Sequence, residues 1–392
     1  MENKVIKLKN TEKDNVVISS DLITYYKKFY PSAYIINWLT RSNTKTLNFR
    51  EFCFTSQENV YIRHQTFKNL AEFQKRIASL NPIKIDIGGI YNKEPNSSFL
   101  TSLVCVEKEL IFDIDISDYD SVRKCCQQKS ICSKCWKYLV CGAKMLQHIL
   151  SENFGFEQIF FVFSGRRGIH CWVCDQRACE LSKEARLAIE QYITYEPSNS
   201  SKKKKNFFEP IYPGYLQLVS LVKNDFFTII KEQDLLKYLD IQKILKKYIT
   251  IYCPVIDMDY INEILEKNID SLSKMEKIYM FLKEGEKVLR GVNVTYYTAD
   301  GCLNEFIMTI LSPRLDINVT IQIGHLLKGP FCVHPQTGYI SVPMPLQLLE
   351  KMNFNCVPKI ENLISNEDNK DKIIFYDYIK FFKLFIENLK KK

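Results

Sequence analysis

The chain has 392 residues, of which 46% are hydrophobic and 25% charged, with a net charge of +9. That length exceeds one typical domain and can fill a core, so two packed units, or one domain with a large insertion, are expected. The mildly basic balance permits an anionic partner without requiring one. The longest apolar run, Ile159 to Phe163, is far too short to cross a bilayer.

The opening MENKVIKLKN does not read as a signal peptide, so the cytosol or nucleus is the expected location. There the 14 cysteines should stay mostly reduced, and clustered ones read as metal ligands. In chain order, DLITYYKKFY (21–30) reads as a short helix stopped by Pro31. Residues 51–67 read as two strands around a polar turn at 56–59, and 71–80 as a helix ending before Pro82. IKIDIGGIY (83–91) alternates like a strand, as does the run Glu109 to Ile116. Helical spacing marks 135–150, and IFFVFSG (159–165) and IHCWVC (169–174) read as strands. From Leu181 to about Leu289 the periods are helical, broken by a polar basic loop, SNSSKKKKN (198–206), with its lysine run at 202–205. Strand signals return at 314–319 and near 339–342, and 376–389 reads as a closing amphipathic helix. The expected architecture is α+β: a mixed α/β core over 1–180 and 306–392, split by a mostly helical insertion at 181–305.

In ELIFDIDI, Asp113 and Asp115 project from one face of a strand and Leu110, Phe112 and Ile114 from the other. Two adjacent carboxylates repel unless cations lie beside them. Hard oxygen ligands at this spacing suit Mg²⁺ or Mn²⁺. Read as a strand, 314–318 places Arg314, Asp316 and Asn318 on one face, and Asp316 would complete a three-carboxylate set able to hold two ions about 3.5–4 Å apart. The turn Ser164-Gly165-Arg166-Arg167-Gly168-Ile169-His170 follows a buried strand. Its glycines allow close backbone approach, and its serine, arginines and histidine can donate to phosphate oxygens. Lys328 and His334 add donors, His325 reads as structural, and Arg63 is a candidate phosphate or template contact. Cys125, Cys126, Cys132 and Cys135 can close a tetrahedral Zn²⁺ site within eleven positions. Cys141, Cys171, Cys174 and Cys179 read as core residues.

Taken together, YIRHQTF, KIDIGGIY, ELIFDIDISDYD, the CC…CSKCW cluster, SGRRGIHCWVCD, PRLDINV, HLLKGPFCVHPQTG and ISVP resemble, in order, the catalytic small subunit of the eukaryotic-type DNA primases, in the archaeo-eukaryotic primase family. The resemblance implies that Asp113, Asp115 and Asp316 bind the catalytic metals. It implies that Ser164, Arg166, Arg167, His170, Lys328 and His334 hold the incoming ribonucleotide, with Asp86 near its sugar. Glu51, Tyr61 and Arg63 match positions near the site of the first nucleotide or primer end, and the four clustered cysteines match a structural zinc site. The activity implied is primer synthesis de novo on single-stranded DNA, with a primase large subunit and DNA polymerase α as partners and a nuclear location. A stand-alone primase-polymerase using deoxynucleotides in repair or damage tolerance is the alternative reading.

Overall fold

The computed structural model describes residues 19–41, 44–95, 102–195, 214–289, 298–352, 357–365 and 370–390. The basic loop at 198–206 lies outside them. Their strands are β1 (Arg50–Thr55), β2 (Tyr61–Gln65), β3 (Lys84–Tyr91), β4 (Cys105–Glu107), β5 (Leu110–Asp115), β6 (Ile159–Phe163), β7 (Gly168–Val173), β8 (Leu327–Lys328) and β9 (Pro343–Met344). One sheet runs β2-β1-β3-β4 with β8 also on β3, and the other runs β5-β7-β6-β9. The α+β class follows, because the helices accompany antiparallel ladders and not a parallel sheet.

The chain divides into two compact units: Met1–Ile114, Phe156–Gln191 and Leu315–Lys392 form one, Asp115–Gly155 and Tyr192–Arg314 the other. The first unit holds both sheets. Its second sheet is buried by helices at Ser32–Thr40 and Lys370–Leu389 through edge-on aromatic packing. Trp38 lies 5.1 Å from Trp172 and 5.7 Å from Phe382, ring centre to ring centre. Such pairs add about 0.5–1.5 kcal/mol beyond the area they bury. Cys171, Cys174 and Cys179 lie in this unit's interior.

The second unit is helical. Ser133–His148 packs on Tyr215–Gln233, and Ala299–Leu311 packs on both Tyr215–Gln233 and Leu239–Tyr252. Phe226 and Phe306 meet edge-on at 5.5 Å, and Cys141 is buried. Buried Glu305 accepts from the hydroxyls of Tyr195 and Tyr215. No helix of the described residues is long and apolar enough to cross a membrane.

The strand expected at 314–319 is not one. Asp316 is the extended N-cap of a short helix, Ile317–Ile321, and its carboxylate accepts from the Asn318 N–H at 2.9 Å. An aspartate here satisfies a backbone donor left unpaired at a helix start. Over so few residues an apolar alternation does not distinguish a strand from one helical turn. The strand expected near 339–342 reduces to two isolated bridges, Ile340 to Val333 and Tyr339 to Lys359, followed by β9.

Candidate active site

β5 is buried up to Phe112 and then alternates, with Ile114 inside and Asp113 and Asp115 half-exposed. The same run that anchors the strand therefore presents the two carboxylates at its end. Asp115 Oδ1 accepts from the Ser117 N–H at 2.8 Å and its hydroxyl at 2.6 Å. Asp113 Oδ1 lies 3.8 Å from His170 Nε2 on neighbouring β7. The Asp316 N–H donates to the Asp113 carbonyl at 3.1 Å, so the distant segment does reach this strand.

β6 and β7 are joined by the Ser164–Gly168 turn. The Ser164 N–H donates to the Gly168 carbonyl at 2.9 Å, and the Gly168 N–H donates to Ser164 Oγ at 3.0 Å. Gly165 has φ +87°, and a Cβ there would sit 2.9 Å from His334 Cβ. Only glycine takes both the conformation and the space. Lys328 Nζ donates to the Ser164 carbonyl, and Thr337 Oγ1 donates to the Gly165 carbonyl at 2.7 Å. The hairpin carrying His334 is thus fastened to the turn carrying Arg166 and Arg167.

Electrostatics set the protonation of this cluster. Burial, with Lys328 and Lys84 nearby, pushes His170 down to about 3. Burial also lowers His334 to about 3, with Lys328, Arg166 and Arg167 adding to it. Both imidazoles are therefore neutral near pH 7. Lys328 is 9% exposed, and burial pushes its ammonium down to about 8.

Asp86 on β3 pairs in register with Lys328 on β8, which brings it to the same face. Asp86 is fully buried. Its Oδ2 accepts from the Tyr61 hydroxyl at 2.7 Å, and Lys84 Nζ lies 3.0 Å from Oδ1. Glu51, also fully buried, accepts from Arg63 at 3.0 and 3.2 Å, from the His64 N–H at 3.2 Å and from the Tyr91 hydroxyl at 3.0 Å. Of the three residues grouped at a first-nucleotide site, Glu51 and Arg63 are joined directly, whereas Tyr61 bonds to Asp86. Lys84, His64 and Tyr91 were not singled out from the sequence. Lys84 carried a signal, since it stands two positions before Asp86 on an alternating strand. His64 carried none, because its left-handed backbone (φ 59°) depends on a bulge between β1 and β2.

In the second unit, the sulfurs of Cys125, Cys126, Cys132 and Cys135 all lie within 4.8 Å of one another. Four thiolates 2.3 Å from a tetrahedral ion are about 3.8 Å apart, and Cys132 Sγ is 3.8 Å from Cys135 Sγ. Buried Arg123 bonds to Asp120, Ser130 and Gln128 and lies 3.7 Å from Cys135 Sγ, so one guanidinium fixes the loop and offsets thiolate charge. The donor set fits a metal ion.

The sequence model of the DNA primase small subunit family matches residues 112–346. The DNA primase small subunit of Drosophila melanogaster is 34% identical over 383 residues, spanning 91% of this chain and 84% of the relative. That of Saccharomyces cerevisiae is 32% identical over 394 residues, spanning 97% and 94%. The DNA primase small subunit PriS of Picrophilus torridus is 23% identical over 357 residues, spanning 86% and 84%. Among solved structures, the polymerase domain of Mycobacterium tuberculosis ligase D in complex with DNA aligns over 95% of this chain and 92% of its own at a TM-score of 0.36 and 9% identity, too slight a likeness to carry an argument. Agreement at one third identity over nine tenths of the length leaves one conclusion: the chain belongs to the DNA primase small subunit family.

Proposed function

We propose that this chain is the catalytic subunit of a DNA primase, a DNA-directed RNA polymerase that starts short RNA chains on single-stranded DNA. Residues 1–180 and 306–392 would form its catalytic core, with 181–305 as an insertion. The observation that carries the reading is the Asp113/Asp115 strand end beside His170 and the Ser164–Gly168 turn, in a chain alike over nearly its whole length to DNA primase small subunits. Chains with that name across such a span do not favour the deoxynucleotide repair reading.

The reaction joins the 3′-oxygen of one nucleotide to the α-phosphorus of the next and breaks the bond to the β-phosphate, releasing pyrophosphate. Asp113, Asp115 and Asp316 would hold two Mg²⁺ or Mn²⁺ ions, which when bound acidify the attacking hydroxyl and neutralise the triphosphate. Ser164, Arg166, Arg167 and Lys328 would clamp the phosphates by charge and donors. Neutral His170 and His334 can each donate one N–H without adding charge. Asp86 would accept from the ribose 2′-hydroxyl, and Glu51, Tyr61 and Arg63 would lie towards the first nucleotide or primer end. Most of the catalysis is position and electrostatics.

The four-cysteine cluster would hold structural Zn²⁺. A primase large subunit and DNA polymerase α are the partners we propose, in the nucleus. The test is primer synthesis by the purified chain on single-stranded DNA with labelled ribonucleotides and Mg²⁺ or Mn²⁺, alone and with the large subunit. Short RNA from the wild type and none from Asp113→Ala is the expected result. No product in either setting overturns the reading.

A further inference from the structure

Tyr61 was grouped with Glu51 and Arg63, yet its hydroxyl meets neither. Its partner follows from strand register. Tyr61 on β2 pairs with Thr55 on β1, and Thr55 pairs on its other side with Lys84 on β3. Tyr61 and Lys84 therefore share one face of the sheet, two strands apart. A phenol lying across β1 reaches the residue two positions on from Lys84, which is Asp86. The result is a carboxylate held from both sides, with the Tyr61 hydroxyl on Oδ2 at 2.7 Å and the Lys84 ammonium 3.0 Å from Oδ1. Lys84 also stands 5.9 Å from the centre of the Tyr61 ring.

A fully buried aspartate can stay an acceptor only while donors hold its charge. Those donors also fix its rotamer. A carboxylate free to swing would present its oxygens to a sugar hydroxyl only part of the time, and one locked from two sides presents them all the time. Burial, with Asp86 beside it, pushes the Tyr61 hydroxyl up to about 12, so at working pH it remains a donor.

We infer that Tyr61 is a positioning residue for Asp86, and that through Asp86 it sets the preference for ribonucleotides over deoxyribonucleotides. This rests on the reading of Asp86 as the partner of the 2′-hydroxyl. A hydroxyl-reading site discriminates because its polar groups are left unpaired when the hydroxyl is missing. Loosening Asp86 lessens that loss, since a carboxylate free to turn can give both oxygens to Lys84 instead.

The experiment is extension of a primed template by the full chain, comparing kcat/KM for each ribonucleoside triphosphate with that for its 2′-deoxy analogue. It is run on wild type, Tyr61→Phe, Asp86→Ala and the double variant. Tyr61→Phe removes one oxygen and keeps the ring, and thermal unfolding reports on the fold. The ribo-to-deoxy ratio should fall roughly three- to tenfold in Tyr61→Phe, about the worth of one hydrogen bond. The loss should lie mainly in KM for the ribonucleotide. It should fall further in Asp86→Ala, and adding Tyr61→Phe there should change the ratio no more. A merely structural role would lower both substrates alike and leave the ratio standing. A ratio unmoved in Tyr61→Phe but lowered in Asp86→Ala overturns the role of Tyr61 alone. A ratio unmoved in Asp86→Ala overturns the reading of Asp86 and this inference with it.

Discussion

The backbone N–H of Asp316 donates to the backbone carbonyl of Asp113 at 3.1 Å, although residues 114–315 intervene in the sequence. The bond binds the start of a short helix to the strand that carries the first carboxylate. Asp316 thus has two duties: its backbone meets Asp113, and its side chain caps the helix at 2.9 Å. These duties separate cleanly by substitution. Asparagine caps helices as well as aspartate does, but it cannot supply an anionic metal ligand. Asp316→Asn should therefore unfold at the wild-type temperature and lose primer synthesis by at least about 100-fold. Wild-type rates in Asp316→Asn would remove this residue from the reacting centre.

Lys328 gives the cluster a pH signature. Burial pushes it down to about 8, with Lys84 acting in the same direction and Asp86 and Asp113 against. The ammonium is charged below that value and neutral above it. Affinity for a triphosphate should then fall as pH rises through about 8, seen as an alkaline limb in kcat/KM for the ribonucleotide. Lys328→Arg keeps its charge at every accessible pH, so its profile should lose that limb even if its overall rate is lower. A limb that stays at the same pH in the arginine variant belongs to another group.

Much of this arrangement was legible because its signals are local. Asp113 and Asp115 declare themselves through a strand period in six residues, and the cysteine cluster through spacing alone. Gly165 was legible as a residue that lets backbone come close, but not as the seat of the His334 hairpin, since that contact joins segments far apart in sequence. The conformation at Asp316 was misread because the same short pattern serves a strand or a capped turn. The bond between Tyr61 and Asp86 was hidden for a different reason. It depends on the register of three strands, and register is fixed by turn and bulge geometry that a single sequence does not display.

Gly165 tests how tightly the turn is set. Gly165→Ala would hold alanine at φ +87° and push its Cβ to 2.9 Å from His334 Cβ and 3.2 Å from the Tyr339 carbonyl. The backbone strain alone is about 1–2 kcal/mol. The turn should relax by shifting away from the hairpin and so spread Arg166, Arg167 and His334. The expected outcome is a raised KM for ribonucleoside triphosphates, with template affinity unchanged in a binding titration. An unchanged KM would mean that the turn does not touch the triphosphate.

The cysteine cluster makes a prediction about metal content. The purified chain should carry one zinc per molecule by elemental analysis. Cys125→Ser/Cys135→Ser should carry none and unfold at a lower temperature, because metal binding supplies folding energy. Asp113→Ala should keep its zinc in full. A wild-type chain prepared in zinc and still lacking the metal would leave the cluster as four reduced thiols.

Arg50 and Glu109 form a buried ion pair in the first unit, only 3% and 2% exposed. The guanidinium grips both carboxylate oxygens, at 2.8 and 3.0 Å, and donates to the Gly88 carbonyl at 3.0 Å. Removing one member strands the other charge in the interior, so Glu109→Gln should lower the unfolding free energy by about 3–5 kcal/mol. Its pH dependence follows from the same contacts. Burial alone would raise the Glu109 carboxyl, but the charge and hydrogen bonds of Arg50 outweigh it and hold the group below its ordinary value. The unfolded glutamate titrates at about 4.3. Above that pH the stabilisation by the pair is complete, and it is lost as pH falls towards the lower folded value. In denaturant titrations the gap between wild type and Glu109→Gln should be constant from pH 8 to 5 and narrow below about 4.3. A gap that keeps its full size at pH 3 would mean that the lost stability comes from packing and not from the charge of Glu109.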